Sequence, residues 1–185
     1  PLVATQILWI NLITDSGPAL AMGVDPSVED VMGRRPRRPE DHVVDAAMWG
    51  GVILIGAVMA AATLGTLDIF LPGGLVDIAG VSTDDLTRAR TAAFTTLVLA
   101  QLFNTLNSRS ETVSAFSHLL VNRWLWGAIA LGVVLQIAVV EVPLLQAAFS
   151  TSSLDPLHWG VTVVMASLVL WFDEVRKAVR RARTR

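Results

Sequence analysis

The 185-residue chain has no cysteine. That absence removes disulfide frameworks, thiolate zinc centres and cysteine nucleophiles. Charge is also scarce: 16% of residues are charged, against roughly 25% in an average soluble domain. Neither sign dominates, since 14 basic and 16 acidic residues leave a net charge of −2. Such a balance excludes the basic footprint of a nucleic-acid partner. No G-x-x-x-x-G-K phosphate loop and no G-x-S-x-G elbow occurs in the chain. The longest hydrophilic stretch, residues 24–45, is too short to house a nucleotide domain. By itself the chain therefore reads as no enzyme. What is present is apolar material: 53% of residues are hydrophobic. Disorder is excluded at that content, and an integral membrane protein, or a part of one, remains.

Five apolar stretches predict an all-α, multi-pass membrane bundle forming one domain over 1–185. The expected spans are 2–23, 46–71, 90–107, 124–149 and 155–173. A helix needs about 20 residues to cross a 30 Å hydrocarbon core, so the third and fifth are short. A secretory signal does not fit the first, because no basic region precedes it.

Basic residues support the count. Arg34, Arg35, Arg37 and Arg38 fall between spans one and two, and Arg109 and Arg123 between three and four. Arg176, Lys177, Arg180, Arg181, Arg183 and Arg185 follow or end span five. Only Arg88 and Arg90 lie on the opposite side. The positive-inside bias makes the richer side cytoplasmic, with the N-terminus outside and the C-terminus inside. Trp49, Trp124, Trp126, Trp159 and Trp171 fall near span ends, as an aromatic belt requires; Trp9 does not. An outside N-terminus opening directly at Pro1 is expected of a chain cut from something longer, with an earlier helix upstream.

Span one carries the most informative chemistry. Asn11, Thr14 and Asp15 stand at i, i+3 and i+4, one face of an α-helix. An aspartate at membrane depth costs roughly 2.5–3.5 kcal/mol on insertion scales and normally faces a cavity or partner. Gly17 and Pro18 follow, and proline cannot donate back to the Thr14 carbonyl. Carboxylate, amide, hydroxyl and freed carbonyl form an all-oxygen donor set, which hard cations prefer. Broken helices with unwound carbonyls are a recurring transporter solution. The plainer reading is a proline-kinked helix whose Asp15 pairs with a polar neighbour.

Gln101, Asn104 and Thr105 repeat the spacing in span three, where amides serve equally as cation ligands or as interhelical glue. Gln136 reads as packing glue, and Asp68, Glu141 and His158 as residues of the outer edge. Gly56/Ala60 and Ala128/Gly132 are small-xxx-small pairs that permit close helix contact. The run Gly33–Pro39 reads as a topology anchor or an anionic-headgroup contact. The arginine-rich tail after Glu174 is expected to continue span five as a helix.

Gln6-Ile7-Leu8-Trp9-Ile10-Asn11-Leu12-Ile13-Thr14-Asp15, followed by Pro18-Ala19-Leu20-Ala21-Met22-Gly23, resembles the sixth transmembrane helix of calcium-transporting P-type ATPases. Met32-Gly33-Arg34-Arg35-Pro36-Arg37 is similar to the link that follows it. Gln101-Leu102-Phe103-Asn104-Thr105-Leu106-Asn107-Ser108 resembles the eighth helix, and Phe172-Asp173-Glu174-Val175-Arg176-Lys177 the end of the tenth. The resemblance implies helices six to ten of a ten-helix transport domain. It makes Asn11, Thr14 and Asp15 cation ligands and calcium the transported substrate. Gln101 stands where the sarcoplasmic-reticulum type has glutamate and the plasma-membrane type an amide, which implies one ion per cycle. Ser16-Gly17 departs from the commoner Gly-Leu pairing, so local unwinding is expected to differ. ATP and magnesium would act in domains outside this chain.

The expected function is thus the C-terminal transmembrane part of an ATP-driven cation pump. Its partners are membrane lipids and the remaining helices and cytoplasmic domains of the parent. Sodium, manganese or protons are the alternative ions. A membrane scaffold or regulatory subunit without an ion site is the alternative from another class. Thirteen arginines to one lysine suit a GC-rich genome and a bacterial cell membrane.

Overall fold

The structure is a computed structural model that describes residues 2–24, 46–71, 73–76, 81, 85–108 and 122–183. The arginine run at Arg34, Arg35, Arg37 and Arg38, together with Arg109 and Arg185, lies outside the described residues. Described secondary structure is entirely helical. Helix α1 (Ala4–Asn11) passes through a π-helical turn (Leu12–Ser16) into α2 (Gly17–Gly23). Then follow α3 (Ala46–Phe70), α4 (Leu86–Asn107), α5 (Arg123–Glu141), α6 (Pro143–Phe149) and α7 (Pro156–Arg183).

Among the described residues, three helices are long and apolar enough to cross a membrane: Met48–Phe70, Arg123–Glu141 and Pro156–Ala182. They turn much of their apolar surface outward. Ile53, Leu64, Trp124, Val134 and Val164 are all exposed, as a lipid-facing surface requires. The domain is an all-α membrane helical domain.

Helix α4 is not one of the three, although its 22 residues span about 33 Å at 1.5 Å per residue. Arg88, Arg90 and a series of threonines and amides lower its hydropathy. It is nevertheless the most enclosed helix, packed along α3 and α7. Ala92, Phe94, Val98 and Ala100 are fully buried, as are Thr91, Thr95 and Thr96. A helix surrounded by protein needs small and hydrogen-bonding side chains rather than lipid-soluble ones. Thr91 bonds its own Thr87 carbonyl, and the Thr66 and Thr96 hydroxyls meet at 3.1 Å between α3 and α4.

Three expected stretches differ in their helical bounds. The stretch 124–149 is not one helix. Val142 is extended (φ −87°, ψ 119°), and Pro143 opens the separate seven-residue α6. Proline disfavours the helical conformation in the residue before it and cannot donate to the preceding turn. Thr151 Oγ1 caps the break by donating to the Val139 carbonyl at 2.7 Å. The fifth stretch runs on as helix to Arg183, ten residues beyond the expected membrane boundary but with the helical tail that the sequence predicts. Helix α4 starts at Leu86 rather than Arg90, because the Asp85 carboxylate accepts the Thr87 amide as an N-cap.

The edge residues have structural duties. Asp68 accepts the Leu75 and Val76 amides, both at 3.1 Å, and Glu141 accepts the Trp159 indole at 3.1 Å. His158 is more enclosed than an edge position suggests. It is buried, 3.2 Å from the Val81 carbonyl, with its ring centroid 4.9 Å from that of Phe70 at a tilt of 44°.

Candidate functional site

The helical path is continuous from Ala4 to Gly23, and the break that the sequence predicts takes the form of a widened turn. Asn11 and Leu12 keep helical angles (φ −59°, ψ −41° and φ −63°, ψ −47°). Ser16 and Gly17 are shifted in ψ to −67° and −56°. Pro18 explains the widening: no N–H exists there to bond the Thr14 carbonyl, and the ring crowds that oxygen. A π-helical turn, with i→i+5 bonds, relieves both problems and is found frequently at functional sites.

Thr14 and Asp15 lie inside this turn; their side chains are outside the described set. Asn11 is exposed on the last residue of α1, Gly17 is half-buried and Pro18 is buried. The i, i+3, i+4 spacing of Asn11, Thr14 and Asp15 thus runs through a π turn rather than an uninterrupted α-helix. Gln101 is half-buried on α4, and its carbonyl accepts the Thr105 hydroxyl at 3.0 Å. Gln101 and Asn11 make no hydrogen bond to each other. Among the described residues no group of three His, Asp or Glu side chains is gathered to hold a metal ion.

Packing holds the π turn in place. Ile13 is buried and shares a core with Val98 and Leu102 of α4. Gly132 of α5 sits beneath them: a Cβ there would lie 3.2 Å from Leu102 Cδ2 and 3.4 Å from Ile13 Cγ2. One turn away, a Cβ on Gly17 would stand 3.5 Å from Ala128 Cβ. The small pair Ala128/Gly132 thus brings α5 against the widened turn, as its spacing predicts. The other small pair behaves differently, since Gly56 faces open space.

Polar side chains fix the same region. Trp9 Nε1 donates to Gln136 Oε1 at 3.1 Å, and Gln136 Nε2 donates to Thr95 Oγ1 at 3.2 Å. This chain joins α1, α5 and α4 through a fully buried amide, so Gln136 is the interhelical glue that the sequence suggests. Gln6 donates to the Phe149 carbonyl at 3.1 Å, while the Phe149 ring packs edge-on against Trp9. Asn122 caps α5 through the Leu125 amide and donates to the Ala21 carbonyl at 2.8 Å, tying down α2.

Sequence reasoning missed the anchor at the other end of α4. Asp173 is buried and pairs with Arg176 Nη2 at 2.6 Å and Lys177 Nζ at 3.1 Å. Lys177 also donates to the Asn107 carbonyl at 2.8 Å, capping α4 from α7. The i, i+3, i+4 spacing of Asp173, Arg176 and Lys177 was the available signal.

A membrane helical domain with a buttressed π turn beside a buried polar helix defines the class. Comparison with known proteins then fixes the family. Residues 1–179 match the family described as "Cation transporting ATPase, C-terminus", and the chain belongs to it. It is 35% identical over 168 residues to the "Calcium-transporting ATPase" of Bacillus subtilis (strain 168), covering 91% of this chain and 18% of that protein. It is 32% identical over 190 residues to "Calcium-transporting ATPase 1" of Bacillus cereus (98% and 21%). It is 35% identical over 178 residues to "Calcium-transporting ATPase type 2C member 2" of Mus musculus (96% and 18%). The chain therefore spans about a fifth of the length of these relatives.

Proposed function

We propose that this region is the membrane C-terminal part of an ATP-driven calcium pump and contributes oxygen ligands to its intramembrane ion site. The observation that carries the reading is the π turn at Leu12–Ser16. It widens an otherwise continuous helix at Thr14 and Asp15, immediately ahead of a proline. The Thr14 carbonyl, which Pro18 cannot bond, with the Asp15 carboxylate, the Thr14 hydroxyl and the Asn11 amide, suits a hard cation. Gln101 is the further ligand from α4, and its neutral amide in place of a carboxylate favours one calcium ion per cycle. Sodium, manganese and protons are the competing ions.

In this reading five segments cross the membrane. The Ala4–Gly23 path and α4 join the three apolar helices, with the N-terminus outside and the C-terminus cytoplasmic. The span at Ala4–Gly23 measures about 30 Å at 1.5 Å per residue, enough for a hydrocarbon core. The expected home is a bacterial cell membrane. ATP and magnesium act in other domains of the longer protein, and phosphorylation there alternates access to the site. In the full-length protein, Asp15→Asn is expected to abolish calcium-dependent phosphorylation from ATP. Retention of wild-type calcium dependence would overturn the assignment.

A further inference from the structure

Along the seam between α3 and α4 the bundle carries a groove of about 470 Å³. Ala60, Thr63 and Leu67 line it from α3, and Arg90, Ala93 and Leu97 from α4. Both sets stand at i, i+3 and i+7, so each forms one stripe along its helix. The stretch covers about 10 Å at 1.5 Å per residue, or two turns. Alanines on both walls leave the seam open to the close approach of another backbone, which is how membrane helices pack.

The groove holds an unmatched cation. Arg90 forms no ion pair or hydrogen bond among the described residues, and its Nε is buried without a partner. The neighbouring charges are engaged elsewhere. Arg88 pairs with Asp155 at 3.5 Å, Asp68 accepts the Leu75 and Val76 amides, and Glu141 accepts the Trp159 indole. Asp85 caps α4, and no described carboxylate lines the groove. Thr63 is in the same position as Arg90. The Thr66, Thr91 and Thr105 hydroxyls each bond the carbonyl one turn back, but Thr63 Oγ1 is buried with no partner. A guanidinium at membrane depth is costly and normally faces a partner inside the protein.

Arg90 lies one turn into α4, level with the end of α3, because Thr63 and Leu67 share its groove and α3 stops at Phe70. A helix laid in the groove in the direction of α3 would finish at that level. Its last carbonyls would be free, and the negative end of its dipole would face the guanidinium. The opposite direction would set N–H groups and the positive pole against it. The bundle already uses this device, with Lys177 of α7 on the last carbonyl of α4. An acyl chain offers Arg90 no acceptor. The chain spans about a fifth of the length of its calcium-transporting relatives, so a longer protein is at hand to supply the helix.

We propose that the α3/α4 groove seats a further transmembrane helix of the longer protein, running in the direction of α3 and capped at its last carbonyls by Arg90. Packed helices cross at an angle, which confines the contact with α3 to the two turns from Ala60 to Leu67. The seat presupposes that the chain is part of a longer pump, but not that Asp15 binds the ion. The intact mass of the isolated polypeptide tests that premise separately.

The test is photo-crosslinking of the full-length protein in lipid nanodiscs, with p-benzoylphenylalanine placed at Ala60 or at Leu67 and the captured peptide identified by mass spectrometry. Both positions are expected to capture one helix of the same polypeptide from outside these 185 residues. The residue caught from Leu67 should follow the one caught from Ala60 by about seven positions, the separation of the two probes at 1.5 Å per residue. Hydrogen exchange in the last turn of that helix should quicken about fivefold in Arg90→Gln, the effect of losing a cation at a helix C-terminus, and return toward wild type in Arg90→Lys. Capture of lipid alone, or of a second copy of the chain, overturns the proposal, and so does the reverse order of captured residues. None of these results needs an Arg90 variant to fold. Asp77 and Asp84 lie outside the described residues, so the same quickening in Asp77→Asn or Asp84→Asn would assign Arg90 to them and overturn the cap. Unchanged exchange in Arg90→Gln would overturn it as well.

Discussion

The Lys177 ammonium donates a 2.8 Å hydrogen bond to the carbonyl oxygen of Asn107, the last residue of α4. Both residues are buried. A cation at a helix C-terminus satisfies an orphan carbonyl and opposes the helix dipole. Here it also fixes the axial position of the helix that bears Gln101.

The triad predicts an unequal pair of losses. Asp173→Asn leaves the buried Lys177 charge without its counter-ion and should cost about 3–5 kcal/mol. Lys177→Met leaves Asp173 still paired with Arg176; it removes the Lys177–Asp173 contact and the hydrogen bond to the Asn107 carbonyl, the latter a loss of about 1.5–3 kcal/mol. Thermal unfolding of the full-length protein in detergent is expected to rank Asp173→Asn below Lys177→Met. The reverse order would show that the buried charge is not held as described.

Gln136 joins three helices with one amide. Gln136→Leu removes both of its bonds and leaves the Trp9 indole without an acceptor. Interhelical bonds of this kind contribute about 0.6 kcal/mol on average and up to about 1.7. The variant should therefore lose roughly 1–3 kcal/mol, more than Thr95→Val, which breaks one bond only. In the double variant the losses should sum to less than the two singles, because one bond is shared.

Gly132 marks where α5 comes closest to the widened turn. Gly132→Val would drive side-chain carbon into Leu102 and Ile13, an overpacking penalty of typically 1–3 kcal/mol. Gly56→Val, in open space, should leave unfolding almost unchanged. Equal effects at the two glycines would contradict the packing beneath Ile13.

Pro18 holds the backbone in its π form by lacking a donor. Pro18→Ala restores the N–H, allows an α-type bond to the Thr14 carbonyl and should pull the turn back to α-helical geometry. Calcium titration of the full-length protein is expected to register at least about a tenfold loss of affinity, 1.4 kcal/mol, with the fold retained. An unchanged affinity would mean that the π turn has no part in ion binding.

Much of this was legible in the sequence, because apolar run length and proline chemistry are local. The helical character of 2–23 and 46–71, the glue role of Gln136 and the disturbance ahead of Pro18 follow from residue type and spacing alone. The single helix expected over 124–149 failed for an equally local reason, Val142-Pro143, which hydropathy passes over because both residues suit lipid. Other features depend on neighbours that a linear reading does not supply. Burial of α4 is set by α3 and α7 on either side, so its low hydropathy reports enclosure by protein. Trp9 fits no aromatic belt because its partner, Gln136, lies 127 positions away. The helical face expected for Asn11, Thr14 and Asp15 assumes α-helical geometry, and the backbone there takes a π turn ahead of Pro18.

The central claim is that the carboxylate of Asp15, in the widened turn, binds the transported ion. Equilibrium binding of radioactive calcium to the full-length protein without ATP tests it most directly. The wild-type protein is expected to bind one calcium ion per chain saturably, and Asp15→Asn, folded as judged by its melting temperature, to bind none. Wild-type stoichiometry and affinity in the folded Asp15→Asn protein would contradict the claim.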